Sequence, residues 1–211
     1  MLSREGFPTL RFDYYGTGDS MGETGQGSIE GWAADIGVAV REVLDLSGAR
    51  AVSTVGMRLG GILSLKAATR CTMEDIVLWD PVVSGAAYVE ELIDLDYRQR
   101  LLRLYPQVSR KAPRTELLGY PFTSAHRDEL ERLDARLLHP EPHGRLVVVA
   151  TEDRGDYRQL VSETKSRGGR AQWVGVTEST GRARATEGEA ALLSSKSLAA
   201  IVDALAASEA S

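Results

Sequence analysis

At 211 residues the chain fits one domain, or one domain with an inserted subdomain, and its 43% apolar content is enough for a sizeable core. A net charge of -5 argues against a nucleic-acid-binding surface as its main business. The single cysteine, Cys71, excludes an internal disulfide, and there is neither a signal-peptide pattern nor an apolar run of transmembrane length, so the expectation is a cytoplasmic protein with no membrane partner.

Residues 9–15 are rich in aromatics, follow Pro8 and predict a strand. They lead into a turn-forming loop, residues 16–22, extended by Gly25 and Gly27. Ser28 is placed to cap a helix in which Ile29, Trp32, Ala33, Ile36, Val40, Val43 and Leu44 follow helical spacing, and Gly48 stops the run. Residues 51–55 predict a short buried strand, followed by a glycine turn and a helix through Leu65 and Ala68. A further apolar strand covers residues 75–80 and is ended by Pro81. From residue 84 to about 138 there is no strand signal. Tyr88, Leu92, Leu95 and Leu102 share one helical face, Leu130, Leu133 and Leu137 another, and Pro106, Pro113 and Pro121 break the region into pieces.

The strand pattern resumes at residues 145–151, an almost continuous apolar run of the kind buried on both faces of a parallel sheet. A helix carrying Tyr157, Leu160, Val161 and Thr164 ends at Gly168-Gly169, and residues 171–176 form the last predicted strand. A polar loop then precedes a final helix with Leu192, Leu193, Leu198, Ile201, Val202 and Leu205, whose last residues, 206–211, are expected to fray. Strands alternating with helices give an α/β fold: a mainly parallel sheet of about five strands flanked by helices, with a helical lid insertion. The organisation is a first part of the core (1–83), the lid (84–140) and a second part of the core (141–211).

The stretch Val55-Gly-Met-Arg-Leu-Gly-Gly61, between strand and helix, has the context of a nucleophile elbow, G-x-S-x-G. Gly56 and Gly60 hold the glycine positions, and Arg58 stands where the nucleophile would be. Together with Gly6-Phe-Pro-Thr-Leu-Arg-Phe-Asp-Tyr-Tyr-Gly-Thr-Gly-Asp-Ser20 and Leu78-Trp-Asp-Pro-Val-Val83, it resembles the α/β-hydrolase superfamily over essentially the whole chain. Within it the likeness is to the serine-aminopeptidase-like branch, and more narrowly to the bacterial exosortase-system-associated hydrolases. The resemblance implies three further strands ahead of Gly6, the third lying between the strand at residues 10–14 and the elbow strand. It also implies that two strands here lack a partner unless they pair directly, a homodimer completes the sheet, or the chain is a fragment.

The same resemblance implies a catalytic inventory of nucleophile, histidine, acid and two oxyanion donors. Arg58 is permanently protonated and cannot attack. The acid would be Asp153, beside Glu152, with Asp156 as second choice. The Leu59 backbone N–H would be one oxyanion donor, and the loop between Thr177 and Ala190, where the histidine belongs, contains none. His126 reads as an exposed helix residue, while His139 and His143 read as surface residues of a proline loop. None forms a metal-ligand pattern, and no cofactor is implied. Cys71 reads as a structural thiol, Trp32 and Trp79 as core, and Asp13, Asp19 and Ser20 as groups that hold the glycine loop; Gly16 and Gly18 lack the Lys-Ser/Thr of a phosphate cradle. Arg98, Arg100, Arg103, Arg110 and Arg114 read as a solvated face or the lining of a cleft for an acidic substrate.

Two readings of Arg58 stand side by side. In one, the helix N-terminus and the guanidinium together hold an anionic ligand or substrate beneath the lid. In the other, the site has decayed, and Arg58 reaches solvent or pairs with Asp153 or Asp80. Two functions follow. The chain is either a hydrolase of a small ester, thioester or amide with a degenerate site, or a non-catalytic pseudo-hydrolase that binds a small anionic molecule or acts as an assembly partner.

Overall fold

The computed structural model describes residues 2–23, 25–102, 109–110, 115–138, 144–177 and 195–209. Its framework is a parallel sheet in the order β1 (Thr54–Met57), β2 (Asp75–Trp79), β5 (Arg145–Ala150), β6 (Arg170–Gly175). β2 is buried throughout, as is β5 beyond Arg145; past Asp75 and Arg145 neither alternates in polarity, and both read as unbroken apolar runs. Their side chains still alternate in direction. Ile76, Leu78, Leu146 and Val148 face a core with α1 (Ile29–Ser47), α2 (Leu59–Ala68) and α5 (Gly155–Ser166). Val77, Trp79, Val147 and Val149 face α6 (Ser195–Glu209) through Ile201, Ala204 and Leu205.

Local signals set the helix ends. Ser28 accepts a hydrogen bond from the Gly31 amide at 3.0 Å and caps α1, and Gly48 closes it in the left-handed region at φ 68°. Ile29, Ala33, Ile36 and Val40 form its buried stripe, and α1 packs on α2. The last helix is described to Glu209, with Ala204 and Leu205 packed on the sheet. Leu192 and Leu193 lie outside the described residues.

Between β2 and β5 the chain forms α3 (Gly85–Leu102), a two-residue-per-arm hairpin of β3 (Glu116–Leu117) and β4 (Tyr120–Pro121), and α4 (Ser124–Glu131). The hairpin is a strand pairing where none was predicted; at two residues per arm it is too short to leave a periodic signal. The buried positions of α3 are Gly85, Val89, Ile93 and Asp96, so its inward face is offset from the predicted one and Leu102 is exposed. Asp96 is tolerated inside because it accepts from Arg100 at 2.9 and 3.0 Å and from the Leu118 amide at 3.0 Å. Leu130 and Leu133 are buried as expected, whereas Leu137 is exposed. Backbone bonds from Gly85 to Leu133 and from Ala135 to Val83 tie the two ends of the insertion together.

The strand expected at residues 9–15 does not form. The segment runs without strand pairing, Leu10 and Phe12 stay about 40% exposed (42% and 37%), and the Tyr15 amide donates to the Asp35 carboxylate. The reason is the absence of a neighbour. An open cleft of about 540 Å³ separates this segment from β1, lined by Phe7, Leu10, Phe12, Tyr14, Val55 and Met57. β1 is therefore an unpaired edge, and the described sheet has four strands rather than five. The glycine loop behind the segment folds as expected. Gly16, Gly18 and Gly22 all have positive φ, Asp13 accepts from the Asp19 amide at 3.1 Å, and Thr17 donates to the Tyr14 carbonyl at 2.8 Å.

Candidate functional site

The site is built where β1 ends and α2 begins. Arg58 sits between them at φ 51°, ψ -117°, a strained conformation for a residue with a side chain. Its backbone is held on three sides: the amide donates to Trp79 O at 3.0 Å, and the carbonyl accepts from the Gly61 and Val82 amides, each at 3.1 Å. The turn also needs Gly56, where an added Cβ would lie 2.3 Å from the Gly60 carbonyl oxygen. A tight, strained strand-to-helix turn is thus formed, with Arg58 at its corner.

The Arg58 side chain turns toward α3. Its guanidinium pairs with the Glu91 carboxylate and lies over the Tyr88 ring, 5.6 Å from the centroid. Burial pulls its proton affinity down, but the hydrogen bond and charge of Glu91 more than offset this, and the net shift is upward. Neither partner foreseen for an idle Arg58 is the one it has. Asp80 accepts from the Thr151 amide at 2.8 Å and hydroxyl at 3.1 and 3.2 Å, bracing the ends of β2 and β5. Asp153 is exposed and bound by both arms of Arg158, at 2.9 and 3.0 Å. The Arg158 guanidinium holds the Asp153 carboxyl below the ordinary aspartate range. Asp156, the second choice of acid, is held by Arg154 at 3.1 and 2.6 Å.

The Leu59 amide is the first of α2 and has no acceptor among the described residues, so it is available as a donor at the helix N-terminus. Three phenols surround the elbow. Tyr14 approaches Gly60, Tyr88 lies under Arg58, and Tyr157, 1% exposed, carries Arg154 over its ring at 4.8 Å. Burial raises all three pKa values, that of Tyr14 to about 12 with Asp35 adding to the effect, so each is a neutral hydrogen-bond donor at physiological pH. None of the three hydroxyls donates a hydrogen bond within the described residues.

Residue identity alone did not single out Glu91, Arg154 or Tyr157. Their usable signal was position: Arg154 and Tyr157 follow the carboxyl end of β5, where parallel sheets place their ligands. Other expected residues have structural duties. His126 is half-buried rather than exposed; it stacks on Trp32 and contacts the Gly27 carbonyl, joining α4 to the glycine loop. Cys71 is half-buried and donates to Ala67 O at 3.2 Å, and Trp79 is buried core, while Trp32 is only partly buried. Of the insertion arginines, Arg100 serves Asp96 and Arg110 pairs with Glu90 and Asp94. Arg103, Arg114, His139, His143 and the expected histidine loop from residue 178 onward lie outside the described residues.

No family model matches the chain, and no curated protein does. Solved structures do. A protein described as "Putative hydrolase" from Agrobacterium vitis S4 superposes over 94% of this chain and 75% of its own, at 18% identity and a TM-score of 0.56. Est1E from Butyrivibrio proteoclasticus, solved with bound ferulic acid, superposes over 78% of this chain at 16% identity and a TM-score of 0.54. The fold is that of the α/β-hydrolases. The chain spans 65% of the length of Est1E, less than two thirds of it, and identities this low carry the architecture alone. The turn at Gly56–Gly60 joins β1 to α2, and no described helix is long and apolar enough to cross a membrane.

Proposed function

We propose that this α/β-hydrolase-fold protein binds a small anionic ligand at the elbow, with Arg58 as the binding group in place of a nucleophile. The observation that carries this reading is the Arg58–Glu91 contact. The strained corner directs a half-buried guanidinium toward α3, and what it holds there is already a carboxylate. The free Leu59 amide and the positive end of α2 favour the same charge. Titration calorimetry with small carboxylates and phosphate tests it. Arg58→Ala should weaken binding by about 10- to 100-fold, the worth of a charge-assisted hydrogen bond. Equal affinity in the variant would overturn the reading.

A second reading, hydrolysis of a small ester, thioester or amide, is favoured by the retained strain at residue 58 together with the unengaged Leu59 donor. It requires water or a group outside the described residues as nucleophile, and Asp153 would have to leave Arg158 to act as the acid. Turnover of p-nitrophenyl acetate above that of Arg58→Ala would favour it.

The open edge of β1 supports an assembly role. Val55 and Met57 are 40% and 43% exposed on a strand with one partner, and a second copy of the chain could complete the sheet there. Sedimentation velocity should show a dimer whose population rises with concentration, and Val55→Lys should return it to monomer. A monomer at every accessible concentration would remove this role.

A further inference from the structure

We infer that Glu91 is a built-in competitor for the anion site, so that the ligand is a short alkyl carboxylate that replaces the Glu91 carboxylate on Arg58 and takes a hydrogen bond from Tyr157. The inference rests on the anion-binding reading of the elbow and adds the chemical class of the ligand and the residue that holds the site shut.

The first support is the chemistry of what Arg58 already holds. The Glu91 side chain ends as a propionate, delivered from the middle of α3 to a guanidinium fixed at the elbow. Tyr88, one turn earlier on the same helix, lies along the guanidinium face. A ligand with the same terminal group would meet the same fork and the same ring. A second cation is close by, since the Arg154 charge is stabilised by Glu91 as well as by its own partner Asp156. The Glu91 carboxylate therefore lies in the field of two arginines contributed by two different sheet-end loops.

The second support is independent of the ion pair. Tyr157 is almost wholly buried, yet its hydroxyl has no hydrogen-bond partner among the described residues. Its ring belongs to the core beside Leu160, and the groups that act on it electrostatically are Arg154, Asp80, Arg58 and Asp156, with the Arg154 guanidinium over the ring at 4.8 Å. The hydroxyl is not enclosed as a buried orphan, so it is open to donate to a ligand oxygen beside Arg58.

The third support is the ease of exchange. Glu91 is more than half exposed (56%), and an ion pair so placed is worth little to the fold. An external carboxylate can therefore displace it without unfolding α3, whose hold on the body comes from Val89 and Ile93.

Titration of the full chain with sodium propionate tests this. Glu91→Gln keeps the shape of the side chain and removes its charge, and it should raise propionate affinity about two- to sixfold by removing a tethered competitor. Tyr157→Phe should lower affinity about five- to tenfold, the worth of one hydrogen bond to a charged oxygen, while leaving the urea midpoint unchanged because the hydroxyl has no partner in the free protein. Arg158→Gln, which breaks the exposed pair with Asp153, should leave propionate binding unaltered. If Arg58→Ala abolishes binding but Glu91→Gln does not tighten it, the competitor role falls and anion binding at the elbow stands. If neither the wild type nor Glu91→Gln binds propionate or phosphate, both fall.

Discussion

Arg145→Met should destabilise the protein by about 3–5 kcal/mol, the cost of stranding a buried charge. The charge stranded is Asp75, which is 0% exposed at the head of β2 and pairs in register with Arg145 at the head of β5. The guanidinium grips the carboxylate with two bonds, at 2.9 and 3.0 Å, and also donates to the Ala204 carbonyl of α6. One side chain thus joins two central strands to the helix that covers them. Urea denaturation should show the midpoint falling with an unchanged slope. The double variant Asp75→Asn with Arg145→Met should recover part of the loss, because an amide costs much less to bury than an unpaired carboxylate. A double variant as unstable as the sum of the singles would show that the arginine acts through packing alone.

That pair also shows what could be read from the residues and what could not. Residues 145–150 declared a buried parallel strand because a continuous apolar run suits a sheet covered on both faces, and the helix after Ser28 declared itself through its cap, stripe and terminal glycine. These properties belong to one segment. Pairing properties belong to two. Residues 9–15 have the composition of a strand, but a strand exists only beside another, and here a cleft lies where the neighbour would be. The elbow followed the same rule. Its glycine turn was legible, with the position of Arg58, because the whole motif lies within a few residues. Glu91 was not, since an exposed glutamate on a helix looks like any solvated charge until the fold brings it 33 positions back to Arg58. Asp153 does stand after β5, where an acid was expected, yet Arg158 sits within reach on the next helix and captures it.

The two glycines of the elbow should respond very differently to alanine, although the sequence motif treats them alike. At Gly56 a Cβ would lie 2.3 Å from the Gly60 oxygen, 2.5 Å from the Gly60 carbonyl carbon and 2.7 Å from the Gly61 nitrogen. All three are backbone atoms of the first turn of α2, so no rotamer change relieves the clash. The helix would have to move as a body, and it cannot do so freely. Gly61 is bonded to Arg58 O and lies against Pro81, where its own Cβ would meet a ring carbon at 3.1 Å, while Ile62, Leu63 and Leu65 are fully buried behind it. Gly56→Ala should cost about 3 kcal/mol or more, at the upper end of overpacking. It should also draw the guanidinium away from Glu91, abolishing anion binding in whatever protein remains folded. At Gly60 the only atom of the described residues near an added Cβ, apart from the helix's own backbone, is the Tyr14 hydroxyl, at 3.8 Å, an ordinary contact. There alanine removes chain entropy from a helix's first turn, and Gly60→Ala should be neutral or stabilising by up to about 1 kcal/mol. Equal losses at the two positions would show that the second glycine serves the site in a way the packing does not reveal. An intact Gly56→Ala protein would mean that α2 is not held against the sheet by the contacts that place Arg58.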